Sequence, residues 1–342
     1  MTANRVLQRL IFMFKLCLPM LLGLHFAACA YKGVNTFPLD PAYPAFDTFL
    51  DDLNDISRIN PGLVKHRIIG FTDTEELPLY AIELGKGPRN ILIIGQHHGD
   101  EVLGVAVSLY QARSLAQDYG SSERVTRLLD EFTLWILPTI NPEGWRLVSR
   151  GITKVKRKNN SDTDGNGRFD LRTDGVDLNR NYPIFWDRDG ESRPISSYYK
   201  GPAPASESEV KSIMALGRRQ DFELALFYHS SVSGALNETI FLPAVDEPTE
   251  RFLALQELAG LYAASVPRDY QKGTYILHTG NTSKVGNARN FFYHSLGVPA
   301  MLIEVGGVNK EGQSIIHPSQ HMLKRIQKRH LEALLRTLEA MI

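Results

Sequence analysis

The chain has 342 residues, 43% of them hydrophobic and 22% charged, a composition that suits one large folded domain or two small ones and argues against disorder. Lys plus Arg equals Asp plus Glu at 38 each, so there is no net field to hold nucleic acid or an anionic membrane by charge alone. The first 29 residues read as an export signal: Arg5, Arg9 and Lys15 precede an apolar run from Leu16 to Ala28, with small residues at Ala27, Ala28 and Ala30. That run is shorter than the roughly 18 residues a membrane-spanning helix requires, and no later stretch approaches that length. Phe26-Ala27-Ala28-Cys29 is similar to a lipoprotein processing box, which would leave a lipid anchor on Cys29, and Ala28-Cys29-Ala30 equally suits simple cleavage. Either way the expected location is the periplasm or cell envelope. With Cys17 inside the signal, at most one cysteine stays in the mature chain and no internal disulfide forms.

Residues 30–44 are expected to be a Pro- and Gly-containing linker, and the helical spacing of Phe46, Phe49, Leu50, Leu53 and Ile56 opens a domain spanning 45–342. From there apolar strand patterns at 91–94, 133–137, 224–228 and 301–305 alternate with amphipathic helices at 101–117, 206–218, 248–265 and 319–341. Continuous apolar strands between helices predict a single α/β domain whose mixed, mostly parallel central sheet is covered on both faces, with its active site at the strand carboxyl ends. No internal repeat or second-domain linker is visible.

The chemistry-bearing residues follow the strands. After Ile91-Leu92-Ile93-Ile94 comes Gly95-Gln96-His97-His98-Gly99-Asp100-Glu101, in which His98 and Glu101 have the His-x-x-Glu spacing that offers an imidazole and a carboxylate to one ion. His97 with Asp100 forms a competing pair. His229, after the run 224–228, supplies a third donor; two histidines and a glutamate suit Zn²⁺ and leave a coordination position open, as a catalytic site requires. His66, His278, His294, His317, His321 and His330 receive no role.

These residues resemble the zinc carboxypeptidases of the pancreatic carboxypeptidase A type, a family whose ligand set is a standard example of catalytic zinc. The resemblance covers nearly all of 45–342. Asn141-Pro142-Glu143-Gly144 resembles a turn of the family, and Arg157-Lys158-Asn159 the segment whose arginine stabilises the oxyanion. Asp177-Leu178-Asn179-Arg180-Asn181 resembles the segment whose Asn-Arg pair, here Asn179 and Arg180, binds the terminal carboxylate. Ser206-Glu207-Ser208-Glu209 is similar to the entry into a helix before the third ligand, and Leu302-Ile303-Glu304 to the strand end bearing the catalytic glutamate. The resemblance implies hydrolysis of peptides at their C-terminus, with Tyr275 as the nearest match to a mobile tyrosine over the substrate and Arg289, beside Asn290, near the wall of the side-chain pocket. The chemistry is coherent in itself: Glu304 can take a proton from the attacking water, Arg157 can hold an oxyanion, and a guanidinium fork such as that of Arg180 suits a carboxylate. Rival readings keep the fold and change the role, to an enzyme acting on peptidoglycan stem peptides or to an inactive peptide-binding protein.

One further motif lies between Arg157 and Asn179. Asp162, Asp164, Asn166 and Asp170, with glycines at 165 and 167 and the Arg168 carbonyl, are spaced like the start of a calcium loop, although Thr173 stands where a bidentate glutamate belongs. An Asp-Gly-rich turn with solvated carboxylates is the alternative.

Overall fold

The structure is a computed structural model and describes residues 37–188, 191–280 and 282–342; the segment expected to be an export signal, with Cys29, lies outside them. The chain entering the domain runs along its surface: the N–H of Phe37 donates to the Gly151 carbonyl at 2.8 Å, and Tyr43 is buried with its hydroxyl on the Pro318 carbonyl at 2.9 Å.

Eight strands form one sheet. In chain order they are β1 (Val64–Phe71), β2 (Pro78–Gly85), β3 (Arg89–Ile94), β4 (Phe132–Leu137), β5 (Phe222–His229), β6 (Thr239–Phe241), β7 (Ile276–His278) and β8 (Ala300–Glu304), arranged β1-β2-β4-β3-β5-β8-β6-β7. The centre, β4-β3-β5-β8, is parallel. The β1-β2 hairpin joins β4 antiparallel on one side, and β6, paired parallel with β7, joins β8 antiparallel on the other. The expected mixed, mostly parallel sheet is therefore the observed one. Every residue of β4 is buried, as a strand covered on both faces must be.

Eight α-helices are described: α1 (Phe49–Ile59), α2 (Val102–Asp118), α3 (Glu123–Glu131), α4 (Pro142–Ser149), α5 (Ser208–Arg219), α6 (Glu250–Ser265), α7 (Ala288–Leu296) and α8 (Gln320–Glu339). Two apolar clusters pack against opposite faces of the sheet. Ile91 and Ile93 of β3 lie in one with α1, α2 and α8, while Leu92 and Ile94 lie in the other with α5 and α7, as the period-2 alternation of a strand dictates. The segment read as a turn at Asn141 opens α4 instead: Asn141 Oδ1 accepts from the Gly144 N–H at 2.9 Å, and Pro142 occupies the first turn, where its missing N–H costs nothing.

Close backbone contact sets the start of α2, which bears directly on the site. A Cβ on Gly104 would stand 1.8 Å from the Gly95 carbonyl oxygen, and one on Gly99 2.5 Å from the Gly144 Cα. The strand end of β3, the first turn of α2 and α4 thus meet at glycines, and Glu101, which precedes α2, is held against the end of the sheet.

Candidate active site

Because β3, β5 and β8 are parallel, their carboxyl ends open on the same edge of the sheet. His229 and Glu304, the last residues of β5 and β8, are register partners, so their side chains leave the sheet on the same side. His98 and Glu101 enter from the loop after β3. His98 Nδ1 lies 2.8 Å from Glu101 Oε1, His229 Nδ1 lies 2.9 Å from Glu101 Oε2, and the two Nδ1 atoms are 3.2 Å apart. All three side chains are buried. Burial opposes ionisation of Glu101, but the two imidazoles outweigh it and hold the carboxyl well below its usual range. Two nitrogens and a carboxylate converging at this spacing fit a zinc ion, whose bonds of about 2.0–2.2 Å to such donors in tetrahedral directions separate the donor atoms by roughly 3.3 Å. His97 does not compete: its Nε2 lies 3.2 Å from the Tyr182 hydroxyl and its ring stacks behind His229 at 5.2 Å.

Asp177 organises the surrounding shell, and the sequence reading gave it no role. Its Oδ1 lies 3.1 Å from His98 Nε2, which leaves Nδ1 to face the centre, and its Oδ2 accepts from Arg157 Nε at 2.8 Å. Such outer partners orient a metal-binding imidazole. The signal was present, since Asp177 opens the matched segment that contains Asn179 and Arg180. Arg157 is turned toward the three donors. It reaches the centre, with Nη1 3.3 Å from His98 Nδ1, while its neighbours Lys156 and Lys158 are buried and donate to the Asp174, Thr173 and Pro194 carbonyls.

A cavity of about 420 Å³ opens beside the three donors and is lined by Arg157, Asn179, Arg180, Arg289 and Glu304, among others. The N–H of Ala288, the first residue of α7, donates to Asn179 Oδ1 at 3.1 Å, which ties this helix to the clamp segment. Arg289 follows it and is 5% exposed, with no partner for its Nε. Burial, reinforced by Arg180, draws its guanidinium pKa down to about 9 although Glu304 pulls the other way. Glu304 is half-buried, and its Oε2 is buried with no hydrogen-bond partner. Burial and then Glu101 push its carboxyl up to about 8. Phe241, Tyr198 and His278 also line the cavity; His278 had been given no role.

Two expectations are corrected. Tyr275 does not line the cavity. It is 4% exposed in the core, its N–H pairs with the Val266 carbonyl, and its hydroxyl lies 3.2 Å from His330 Nε2 while accepting from the Gly306 N–H at 3.4 Å. The resemblance implied a place for it over the substrate, but the backbone pairing that precedes β7 turns it inward. The expected calcium ligands do not assemble as a set. Asp162 and Asp164 lie near Asp174, not Asp170. Asp162 accepts from the N–H groups of Gly165, Asn166 and Gly167, Asn166 Oδ1 from that of Arg168, and Asp170 from those of Arg172 and Thr173. The carboxylates satisfy their own backbone, as in an Asp-Gly turn, and calcium is not carried further.

An α/β domain thus carries a two-histidine, one-carboxylate donor set at its parallel strand ends, with a second carboxylate beside it. The chain belongs to the zinc carboxypeptidase family, whose model matches residues 49–333. It is 32% identical over 176 residues to carboxypeptidase A2 of Rattus norvegicus, a match covering 51% of this chain and 40% of that protein. A longer match, 27% identical over 297 residues, covers 76% of this chain and 49% of the inactive metallocarboxypeptidase ecm14 of Talaromyces stipitatus. The chain thus spans less than half the length of these relatives. Among solved structures, bovine thrombin-activatable fibrinolysis inhibitor, in complex with tick carboxypeptidase inhibitor, shares the fold with a TM-score of 0.73 at 20% identity, over 87% of this chain and 97% of that one.

Proposed function

We propose that this protein is a zinc-dependent carboxypeptidase that removes the last residue from peptides bearing a free C-terminal carboxylate, and that it acts after export to the periplasm or cell envelope. The observation that carries the catalytic reading is the convergence, on one cavity, of the His98, Glu101 and His229 donors, the unpartnered Glu304 oxygen and three arginines. An inactive binding protein would have no need of Glu304 in that place. Export rests on the N-terminal sequence alone.

Bound by His98, Glu101 and His229, zinc would polarise the scissile carbonyl and render the attacking water more acidic. Glu304 takes the proton from that water and passes it to the leaving amine nitrogen as the C–N bond breaks. Arg157, steadied by Asp177, faces the oxygen on which negative charge develops. Asn179 and Arg180 hold the terminal carboxylate, for which a planar guanidinium is the better-shaped cation.

Arg289 sets the preference. A buried guanidinium with an unpartnered Nε at the cavity wall favours a terminal residue that carries its own carboxylate, because leaving that charge uncompensated is costly. A glutamate at a peptide C-terminus offers such a group, and so does the diaminopimelate of peptidoglycan stems. Zinc-loaded protein incubated with peptides ending in Glu, Lys or Phe and with purified muropeptides, followed by mass spectrometry of the products, separates these. We expect Glu to lead the three peptides, and Arg289→Ala to erase that lead by about tenfold or more. An unchanged ranking in the variant removes Arg289 from the specificity site; cleavage of muropeptides alone moves the substrate to the cell wall.

A further inference from the structure

The ring of Tyr198 lies against both arginines assigned to the substrate's oxygens. Its centroid is 4.8 Å from the Arg157 guanidinium carbon and 5.6 Å from that of Arg180. Both distances fall within the range of cation–π attraction. The ring is not there to fill the core, since Tyr198 is 51% exposed and lines the cavity. Its backbone, by contrast, is pinned. The Tyr198 N–H donates to Ser196 Oγ at 3.2 Å, its carbonyl accepts from the Glu191 N–H at 3.4 Å, and the next carbonyl, that of Tyr199, accepts from the N–H of Asp177 at 2.8 Å. Tyr199 itself is buried. The loop that presents the exposed ring is therefore fastened to the residue that already fixes His98 and Arg157.

Two guanidiniums facing one cavity repel each other, and each must be held for a different oxygen of the same peptide. Arg157 is paired with Asp177, and Arg180 Nη1 donates to the neighbouring Asn179 carbonyl at 2.8 Å. We propose that Tyr198 is a positioning residue for the carboxypeptidase reaction, its π-face holding Arg157 and Arg180 in the separation that a C-terminal peptide unit requires. This proposal rests on the peptidase reading given above.

The test uses the zinc-loaded full chain, a peptide substrate ending in a free carboxylate, and its analogue with a reduced, uncleavable terminal bond. Tyr198→Ala and Tyr198→Leu are expected to lower kcat/KM by about tenfold, from loss of two cation–π contacts. The same variants are expected to weaken analogue binding, with zinc content and melting temperature unchanged. Leu fills much of the ring's volume without a π-face, and Tyr198→Phe, which retains the face, should restore most of the loss. Tyr198→Leu equal to the unaltered chain, or Tyr198→Phe as impaired as Tyr198→Ala, overturns the proposal while leaving the peptidase reading intact. An unaltered chain that neither cleaves the peptide nor binds the analogue removes both together.

Discussion

Replacement of Glu304 by glutamine is expected to lower kcat by about 10²- to 10⁴-fold while zinc content stays unchanged. Glutamine preserves the shape of the side chain at the end of β8 but cannot accept and deliver the proton. Glu304 is not one of the three converging donors, so metal binding should survive. The loss should fall on kcat more than on KM, because proton transfer is made in the transition state and not in the ground state. Steady-state kinetics with metal analysis on the same preparation decide the matter. A variant with near-normal kcat takes Glu304 out of the reaction, and one that loses zinc makes it a ligand.

Replacement of His98, Glu101 or His229 by alanine has the opposite signature: metal and turnover should vanish together. Each of the three supplies one of the donor atoms that lie within 4.8 Å of one another, and two remaining protein donors hold zinc far more weakly than three. The Glu101 substitution adds a second effect. Its carboxylate lies against both imidazoles at 2.8 and 2.9 Å, so its loss also takes the buried anion from His229 and leaves His98 only Asp177, and the melting temperature should drop. Elemental analysis after dialysis is the measurement. Full zinc occupancy in any of the three variants would show that the donor set is wrongly drawn.

Much of this site was legible in the sequence because its donors follow buried strands. The apolar runs of β3, β5 and β8 are unbroken, and polar residues directly after them can only emerge at the sheet's carboxyl edge. His98 and His229 were located by that rule, and Glu304 and the Asn179-Arg180 pair by their resemblance to known segments. What stayed hidden depends on side-chain direction and on loops. Tyr275 stood at a plausible distance along the chain, yet nothing in the sequence says which way a residue before a three-residue strand points. Tyr198 sits in Ser196-Ser197-Tyr198-Tyr199-Lys200, where one tyrosine is half-exposed at the cavity and the next is buried; no periodicity distinguishes them outside regular structure. The strands β6 and β7 are too short to show a pattern. Lys156 and Lys158 stand among several basic residues, and their burial follows from carbonyl partners at Asp174, Thr173 and Pro194 that the local sequence does not announce. The start of α4 is different, because Asn141 followed by Pro142 is a helix-start signal that the sequence displayed openly.

Removal of a terminal residue should require both zinc and the free terminal carboxylate. This is tested most directly by incubating chelator-stripped protein with matched peptides ending in Glu as the free acid or as the amide, before and after adding zinc, and weighing the products. No reaction is expected without zinc, with loss of a single C-terminal residue from the acid once zinc is restored and little or no cleavage of the amide, which denies Arg180 its charged partner. Equal cleavage of acid and amide, cleavage at internal bonds, or no reaction of either peptide with zinc bound would contradict this expectation.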